Sequence, residues 1–422
     1  REAFRARRGY DLMPFLPVFT GRVVESAEIS ERFLWDLRRT IADLLLENYA
    51  DRFRELSQRN GLKLSIEAYG NGPLDDLPYA GLADLPVSEF WMGMEPWWVT
   101  KEMASAAHTY SKPVLAAEAF TSRAWNGKWQ NHPFRFKPLG DQMFTLGVNR
   151  FVIHRYAMQP WLNRWPGMTM GPYGIHFERT ITWWEQSKAW LTYLARCQHL
   201  LQQGRFVADV AYVASERAPN DVHEPLSNLP TPPGYDYDVV SAELLAQMTV
   251  RDGRATLPGG MSYKVLVLPV SSVMRVAQLR RIKELVAAGT IVVGMPPVKS
   301  PSLAERGAGD AELRRIASEL WAGCDGVNIT EHRHGKGKVV WGKPLATVLS
   351  DEDAPPDFGG VGFEPGKQLR YIHRIAGGKD IYFLASSEPQ AATFLAAFRV
   401  AGKRPALWWP DSGRIERLAL YD

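Results

Sequence analysis

The sequence has 422 residues, a length that predicts two or three domains, because single hydrophobic cores rarely grow beyond roughly 250 to 300 residues. Its 45% apolar and 23% charged residues are typical of a globular protein and exclude the disordered and collagen-like classes. The formal net charge of +4 leaves no concentrated basic stripe, so we expect no nucleic-acid partner.

Two absences from the sequence narrow the class further. Only Cys197 and Cys324 are present, which excludes a disulfide framework and a cysteine-based zinc site. No stretch reaches the roughly 18 consecutive apolar residues of a membrane-spanning helix, so we expect no membrane partner. Because the chain begins at Arg1 inside a predicted helix over 2–8, we expect that a preceding part of the protein was removed or not included.

Residues 1–205 alternate short apolar runs with amphipathic helices, a pattern typical of parallel α/β structure. The apolar residues of the first long helix recur with a 3.6-residue period. This region is predicted to be the C-terminal half, or more, of a (β/α)8-type barrel. The predicted strands are 62–69, 85–91, 113–120 and 151–157, and the predicted helices are 30–59, 101–110, 139–146 and 182–203.

Residues 206–345 have a different sequence pattern, in which predicted buried strands and amphipathic helices follow one another closely. The runs 207–213 and 263–269, the helix 276–287 and the run 289–294 predict right-handed parallel crossovers. We predict a doubly wound parallel α/β domain that resembles glutamine amidotransferase domains. Its glycines form neither a dinucleotide fingerprint nor a P-loop, so we expect a non-catalytic role and no organic cofactor.

Residues 346–422 are predicted to form part of a β-sandwich. Helical patterns stop near Pro355, and short segments punctuated by glycine and proline follow. The pair Gly377 and Gly378 and the segment 411–413 are predicted hairpin turns. The predicted strands are 368–375, 379–386, 393–400 and 407–409.

Aromatic residues are frequent, and many of the fifteen tryptophans fall in predicted loops. Tryptophan faces stack on the apolar faces of sugar rings, so this distribution is typical of a carbohydrate-binding cleft. The alternative is that each of them fills a core or the underside of a loop. We predict that Trp91 and Trp125 bind substrate; the loop tryptophans are Trp91, Trp97, Trp98, Trp125, Trp129, Trp161 and Trp165.

The strongest candidate for chemistry is Glu118, which follows an apolar strand and precedes an aromatic loop. In a barrel of this type, polar residues at the C-terminal ends of the strands build the active site. Glycoside hydrolysis needs two carboxyl groups, one that donates a proton to the leaving oxygen and one that activates water or attacks the sugar. The alternative for Glu118 is a structural ion pair.

Three other strand ends carry candidate residues. Glu67 is predicted to be a catalytic group, with a sugar-hydroxyl ligand or a metal ligand as alternatives. Glu89 has a similar position and is predicted to bind substrate. His154 is predicted to hydrogen-bond a sugar hydroxyl, although a single histidine on a strand is often a satisfied core residue.

The loop over 171–182 adds His176, which we predict to bind substrate. Beside it, Glu178 and Arg179 are interpreted as an ion pair at the start of a helix rather than as an acid or base. Oxygen ligands for Ca²⁺ are available in the loop residues Asp75, Asp76 and Asp84, but without EF-hand spacing. The metal ligands are therefore not assigned.

In segments that include several of these residues, the chain resembles the family 106 glycoside hydrolases, whose characterised activity is α-L-rhamnosidase. The resemblance covers nearly the whole chain and includes the doubly wound region. The matching segments are 8–12 (RGYDL), 17–21 (PVFTG), 33–40 (FLWDLRRT), 84–91 (DLPVSEFW), 117–121 (AEAFT) and 182–184 (TWW).

The resemblance implies hydrolysis of α-L-rhamnosyl linkages with inversion, often with calcium. If 151–157 is the eighth strand, Glu118 lies on the seventh and Glu67 on the fifth, so Glu118 inherits the role of general base. The fourth strand, which carries the general acid in the family, would precede Arg1. Unless Glu67 or Glu89 substitutes for it, the chain holds half of a catalytic pair.

Three hypotheses follow for the function. The first is a rhamnosidase, or part of one, that acts on a rhamnose-containing oligosaccharide or glycoside. The second is a glycosidase of another specificity, and the third is a catalytically incomplete carbohydrate-binding or scaffold barrel. A periplasmic or secreted location is favoured over the cytoplasm, and self-association would cover the strand edges of an open barrel.

Overall fold

The computed structural model describes residues 1–70, 72–94, 97–220, 229–363, 365, 369–386, 391 and 393–422, with the backbone alone at 97 and 98. The α-helices are α1 (Glu2–Arg8), α2 (Ala27–Leu45), α3 (Arg52–Arg59), α4 (Asp76–Leu82), α5 (Trp97–Thr109), α6 (Pro133–Thr145), α7 (Ser187–Leu201), α8 (Ala242–Gln247), α9 (Val276–Ala288), α10 (Ala308–Trp321) and α11 (Leu345–Asp351). Short 3₁₀ helices cover Met13–Thr20 and Leu303–Glu305, and a π-helical segment covers Leu46–Asp51.

The strands fall into three groups along the chain. The first group is β1 (Ser65–Glu67), β2 (Leu85–Trp91), β3 (Ala116–Thr121) and β4 (Arg150–Ile153). The second is β5 (Arg205–Phe206), β6 (Val210–Val213), β7 (Tyr237–Val240), β8 (Thr249–Arg251), β9 (Arg254–Thr256), β10 (Ser262–Tyr263), β11 (Val265–Val267), β12 (Ile291–Val293), β13 (Glu331–His334) and β14 (Gly337–Val340). The third is β15 (Phe358–Val361), β16 (Leu369–Ala376), β17 (Lys379–Ser386), β18 (Leu395–Phe398), β19 (Ala406–Trp408) and β20 (Ile415–Arg417).

The first four strands form a parallel sheet in the order β1-β2-β3-β4. All four predicted strands of this region are therefore present, and three of them are shorter than predicted. One face of the sheet packs on helices through fully buried side chains such as Phe90, Ala117 and Ala119. The other face is open, since Val152 in the middle of β4 is 53% exposed.

The helices of this region depart from the predictions at their ends. The predicted helix 30–59 is two helices, α2 and α3, joined by the π-helical segment. Helix α2 begins earlier than predicted because the hydroxyl of Ser26 caps it by accepting a 3.2 Å hydrogen bond from the backbone of Ile29. Helix α4 was not predicted, and the segment before α7 forms turns rather than the predicted helix.

A second parallel sheet follows, in the order β13-β14-β12-β11-β6-β7, with β13 antiparallel at one edge. Its strands are runs of buried apolar residues, as in β11 and β12. Helices α9 and α10 cover one face, and α11 packs on the other through Leu345, Val348 and Leu349. The fold class is therefore α/β with parallel sheets, and the division into domains at 205 and 345 stays a prediction.

The last part of the chain forms small antiparallel sheets. β16 and β17 pair over eight residues and add β5 at the other edge of β16. The predicted turn at Gly377 and Gly378 joins them, and both glycines have the left-handed backbone that such a turn needs, with φ of 55° and 74°. The β-sandwich assignment for 346–422 stays a prediction.

Buried polar contacts join helix α5 to the region of strand β7 in the second parallel sheet. Asp238 on β7 is fully buried, and its carboxylate lies 2.9 Å from Nδ1 of His108 on α5. The same carboxylate accepts a 2.9 Å hydrogen bond from the hydroxyl of Tyr263. Nearby, the ammonium group of Lys101 pairs with Asp236 at 2.5 Å. Among the described helices, none has both the length and the apolar character required to cross a membrane.

Candidate active site

The strand register places the predicted strand-end residues on one face of the four-stranded sheet. Glu67 is paired with Val87, two residues before Glu89, and Glu89 is directly paired with Glu118. Glu118 is in turn paired with Val152, two residues before His154. Because side chains alternate along a strand and register partners share a face, Glu67, Glu89, Glu118 and His154 all project from the open face near its C-terminal edge.

Glu118 is half-buried and is held by its own strand. The hydroxyl of Thr121 donates a hydrogen bond to its Oε1. Nδ1 of His154 lies 3.7 Å from the same oxygen, close enough for electrostatic attraction when the histidine is protonated. Phe120, between Glu118 and Thr121, has a left-handed backbone with φ of 64°, which turns the strand so that both side chains meet. Left-handed backbone is unfavourable for a bulky residue and is often retained at functional sites.

Glu89 is oriented by two neighbours. The hydroxyl of Tyr69 donates a 2.8 Å hydrogen bond to its Oε2, and Nε1 of Trp91 donates to its Oε1. The ring of Trp91 is also covered by the guanidinium group of Arg123, at 5.3 Å. Glu89 and Trp91 are thus brought together, and both carboxylate oxygens of Glu89 already accept hydrogen bonds. Substrate binding by these two residues stays a prediction.

Glu67 is solvent-accessible and keeps a raised pKa. Partial burial is the largest cause, and the negative charges of Glu118 and Glu89 add to it, whereas the nearby hydroxyl of Tyr69 acts in the opposite direction. The neighbouring carboxylates also raise the pKa of Tyr69, after burial as the main cause. The charges of Glu89 and Glu118 therefore act on Glu67 at this edge of the sheet.

The loop after β3 carries exposed tryptophans on an ordered backbone. The backbone of Arg123 donates a 2.8 Å hydrogen bond to Oδ1 of Asn126, whose amide nitrogen donates to the carbonyl of Met92. The amide nitrogen of Asn131 donates to the Ser122 hydroxyl and to the Asn126 carbonyl, at 3.0 and 2.8 Å. These contacts fix a loop that leaves its large aromatic rings in solvent, namely Trp125 at 65% exposure and Trp129 at 46%.

A second loop returns to the end of β4 and brings His176 to the site. The backbone of Ile175 donates to the carbonyl of His154, at 3.0 Å, and Phe177 donates to that of Arg155, at 3.1 Å. His176 is buried and its ring stacks on Trp129 with centroids 3.9 Å apart. Burial is the main cause of its lowered pKa. The predicted residue His176 is therefore in the rim, stacked on a tryptophan.

Two rim residues were missed as individual site candidates. Trp129 was noted only among the loop tryptophans, yet it is the one that stacks on His176. Arg155 follows His154 directly in the predicted strand 151–157, and its position beside that candidate was the signal that could have identified it. Among the other loop tryptophans, Trp161 and Trp165 are exposed, whereas Trp97 and Trp98 begin α5 rather than lying in a loop, and their side chains are outside the described structure.

The interpretation of Glu178 and Arg179 as an ion pair at a helix start is wrong, because each of the two residues has another partner. Glu178 accepts a 2.7 Å hydrogen bond from the backbone of Thr180 and another from its hydroxyl. Arg179 donates to the carbonyl of Gln159, and helix α7 begins only at Ser187. A carboxylate readily accepts hydrogen bonds from the backbone and side chain two residues further along the chain. This local turn replaces the predicted contact between the adjacent side chains of Glu178 and Arg179.

The loop aspartates do not fit a calcium site. Asp75 pairs with Arg39 and accepts a 3.1 Å hydrogen bond from Asn220, and Asp84 accepts a 2.9 Å hydrogen bond from the backbone of Leu64. Asp76 is buried in the first turn of α4. Over the described part of the chain, no three His, Cys, Asp or Glu residues are grouped in a way that could hold a metal ion. Calcium dependence stays an expectation from the resemblance.

Carboxyl groups at the ends of parallel strands, together with exposed aromatic rings around them, are the features of a glycoside hydrolase cleft. The sequence comparisons agree with this class. The chain matches the family 106 glycoside hydrolases, described as alpha-L-rhamnosidase, over residues 1–422, and it belongs to that family.

Individual relatives are longer than this chain. A protein of Formosa agariphila, provisionally named a beta-glucuronidase, is 37% identical over 423 residues, which cover 99% of this chain and 34% of the relative. The solved rhamnosidase from Novosphingobium sp. PP1Y is 34% identical with a TM-score of 0.90 over 99% of this chain and 40% of that one. The chain therefore spans roughly a third to two fifths of these relatives.

More distant structures share the fold alone. The beta-galactosidase from Bacillus circulans sp. alkalophilus aligns with a TM-score of 0.62 over 98% of this chain at 13% identity. At that identity the similarity supports the α/β architecture and carries no information on the sugar that is cleaved.

Proposed function

We propose that the protein containing this chain hydrolyses α-L-rhamnosyl linkages with inversion and that Glu118 is the general base. The observation that carries this proposal is the position of Glu118 on the open face of the four-stranded sheet, between Thr121 and His154. Membership of family 106 and the similarity to a solved rhamnosidase support the choice of sugar.

The geometry around Glu118 suits a base. In the described structure, its Oε1 accepts the hydrogen bond from Thr121, whereas Oε2 has no hydrogen-bond partner. Oε2 is therefore free to accept the proton of a water molecule that attacks the anomeric carbon. Thr121, which is 1% exposed, fixes the carboxylate so that this water lies at a defined position.

Glu67 is proposed as the second catalytic carboxyl group. Its raised pKa keeps the proton to a higher pH than for an ordinary glutamate, which a group that donates to a leaving oxygen requires. Glu67 and Glu118 are on strands separated by β2, and neighbouring strands lie about 4.8 Å apart. The resulting separation of roughly 10 Å between strand axes is compatible with the roughly 6.5–9.5 Å between the carboxyl groups of inverting enzymes.

The sugar is proposed to bind between the glutamates and the aromatic rim. Trp91 and Trp125 provide ring faces, and Trp129 provides a third that is supported from behind by His176. Glu89 and His154 are proposed to contact sugar hydroxyl groups. Sugar rings stack on such faces because their C–H surfaces are apolar.

The test is hydrolysis of an aryl α-L-rhamnoside by the natural protein and its Glu118→Gln variant. Removal of the base should lower kcat by about 100-fold to 10,000-fold. Proton NMR of the first product formed should show the anomer opposite to that of the substrate. The matched control is Glu185→Gln, an exposed glutamate next to α7, which should retain full activity. Full activity in Glu118→Gln would remove Glu118 from the role of base.

A second specificity is suggested by the name of one relative. Because the Formosa agariphila protein is provisionally named a beta-glucuronidase, an aryl β-glucuronide is the appropriate second substrate. Cleavage of the glucuronide and not of the rhamnoside would replace the proposed sugar while leaving Glu118 as the base. A periplasmic or secreted location and self-association are proposed as well, and fractionation and light scattering test them.

A further inference from the structure

A polar cavity is present apart from the cleft around Glu118. It has a volume of about 460 Å³, within the roughly 300–1,000 Å³ that is typical of sites for small molecules. None of the residues that line it belongs to the four-stranded sheet or to the two rim loops of the candidate active site. Its walls come from segments that are far apart in sequence, namely 205–209, 254–264, 353–357, 373–380 and 399.

The floor of the cavity is a network of buried charged side chains. Asp357 is 2% exposed, and both of its carboxylate oxygens lie 3.0 Å from Nδ1 of His373. The hydroxyl of Tyr382 donates a 2.9 Å hydrogen bond to the same aspartate, and its ring stacks on His373 with centroids 4.0 Å apart. Nε2 of His373 lies 3.0 Å from Asp380. These contacts hold the charged side chains of the floor in fixed positions.

Asp209, directly before β6, completes this network. Both terminal nitrogens of Arg254 donate to its Oδ1 at 3.2 Å, and Nη1 of Arg399 lies 2.7 Å from its Oδ2. The contact with Arg399 lacks hydrogen-bond geometry, so Oδ2 is buried without a hydrogen-bond partner in the described structure. A buried acceptor in this state costs roughly 1–3 kcal/mol unless another group supplies a hydrogen. Because Asp209 lines the cavity, a hydroxyl group bound there is a suitable donor.

Two further groups in the cavity wall are left without a close partner. The ammonium group of Lys264 lies 3.9 Å from Glu352 and donates no hydrogen bond among the described residues. The carboxylate of Asp353, in the same part of the chain, neither forms an ion pair nor accepts a hydrogen bond there. A donor and an acceptor are therefore available to a ligand.

The charge of the lining indicates the class of ligand. Four arginine or lysine side chains and four aspartates line the cavity, so their formal charges cancel, and His373 lies between two of the aspartates. A charged ligand would be attracted by one set and repelled by the other. A neutral sugar avoids this repulsion, and each of its hydroxyl groups can both donate and accept hydrogen bonds. Neighbouring hydroxyl groups of a sugar ring thus match carboxylates and cationic groups that lie side by side.

We propose that this cavity is a second carbohydrate-binding site, which binds one neutral sugar unit. Asp209 and Asp353 accept hydrogen bonds from hydroxyl groups of the sugar, and Lys264 and Arg254 donate to them. The proposal does not depend on which linkage is cleaved at Glu118. It gives the protein a contact with a glycan outside the cleft.

Hydrogen exchange followed by mass spectrometry tests the site directly, because it reports where a sugar binds. The natural protein is measured alone and with L-rhamnose, D-galactose or D-glucose, each at up to about 20 mM, which saturates a site with a Kd of roughly 1 mM. We expect at least one of these sugars to slow amide exchange in the segments 205–209 and 254–264. Unchanged exchange in both segments with all three sugars would overturn the proposal.

Lys264→Gln is the main variant. The side chain of Lys264 is 25% exposed and lies outside the buried floor, so the variant should fold. The sugar concentration that gives half of the maximal protection should rise about 10-fold, because a charge-assisted hydrogen bond is lost. The matched control is Lys336→Gln, an exposed lysine between β13 and β14, which should leave this concentration unchanged. Equal concentrations for Lys264→Gln and the natural protein would contradict the site.

Charged probes and a second segment complete the test. Sodium glucuronate and sodium phosphate are measured at matched ionic strength, and protection of the two segments by either of them, but by none of the neutral sugars, would make the cavity an anion site. Exchange in the segment 121–131 reports binding at the cleft around Glu118 in the same samples. Protection there that Lys264→Gln leaves unchanged would show two separate sites. Protection of the cavity segments alone would support the cavity and count against the proposed function.

Discussion

The two parallel sheets of this chain are built alike and are used differently. The four-stranded sheet has an open face whose strand ends carry Glu67, Glu89 and Glu118. The six-stranded sheet is covered on both faces, and its central strands, such as β11 and β12, are entirely apolar and buried. Titratable side chains at the ends of parallel strands are available for chemistry, whereas apolar side chains on both faces of a covered sheet contribute to stability.

Backbone conformation shows the same contrast. Around the four-stranded sheet, Phe120, Lys128, Trp129 and His176 all have a left-handed backbone, with φ between 54° and 64°. Such conformations cost of order 1–3 kcal/mol each and persist where the surrounding structure enforces them. In the region of the six-stranded sheet, left-handed residues such as Asp252 lie in exposed turns, where short polar side chains accept them easily. Four of the nine described non-glycine residues with this backbone thus lie around the proposed site.

The contrast between the two sheets can be tested by substitution. The largest expected effect is a loss of catalysis when Glu67 is replaced. Glu67→Gln should lower kcat on an aryl α-L-rhamnoside by about 100-fold or more, because glutamine donates no proton. In the natural protein, activity should fall as the pH rises through the raised pKa of Glu67, since the donor must be protonated. The variant should lose this alkaline limb of the pH profile, which steady-state kinetics between pH 4 and 9 would reveal.

Stability distinguishes this result from damage to the fold. A carboxyl group with a raised pKa stabilises the folded state below its unfolded pKa, and this contribution is lost as the pH rises through the folded value. Glu67→Gln should therefore be at least as stable as the natural protein at pH 7, because the repulsion with Glu118 and Glu89 is removed. An unchanged kcat with a raised KM would instead make Glu67 a ligand of a sugar hydroxyl group.

The second effect is on stability, at the contact between the sheets. Asp238→Ala leaves the buried Nδ1–H of His108 and the hydroxyl of Tyr263 without their shared acceptor. The free energy of unfolding should fall by about 3 kcal/mol, since removing one partner of a buried polar pair exposes the other to the full desolvation cost. Urea unfolding followed by tryptophan fluorescence measures this change.

A matched variant of an exposed aspartate controls for the loss of charge. Asp411→Ala, in the last hairpin, should change the free energy of unfolding by less than about 0.5 kcal/mol. At a temperature well below the transition, Asp238→Ala should keep kcat on the aryl rhamnoside within about 2-fold of the natural protein, because it changes the covered sheet and its contact rather than the open face. A selective loss of kcat without a loss of stability would contradict the division of roles between the sheets.

The sequence was informative where a short-range pattern determines the structure. Segments of seven or eight residues, rich in apolar side chains, predicted every strand of the four-stranded sheet, because each segment is bounded by polar or turn-forming residues. The α/β class followed from the same segments, and so did the position of Glu118 on the third strand of this sheet. Strand order then brings Glu67, Glu89 and Glu118 to one edge of the sheet.

What could not be predicted depends on contacts between distant segments. The π-helical segment that divides the predicted helix 30–59 leaves no mark on its apolar periodicity. The contact of His176 with Trp129 arises because the loop over 171–177 pairs with the end of β4, and no spacing in the sequence encodes this pairing. Likewise, Asp75 was considered as a metal ligand because Arg39 and Asn220, its partners, are far from it in sequence.

The smallest effect tests whether the left-handed turn at Phe120 serves Glu118. Thr121→Val keeps the shape of the buried side chain and removes the hydroxyl that donates to Oε1. We expect kcat to fall by about 10-fold, the equivalent of roughly one hydrogen bond to a charged group. Thr121→Ser should restore kcat, and Thr192→Val, which removes an exposed hydroxyl on α7, should leave kcat unchanged. If Thr121→Val lowers stability but leaves kcat unchanged, the turn at Phe120 is a packing feature and only the strand-end glutamates distinguish the two regions.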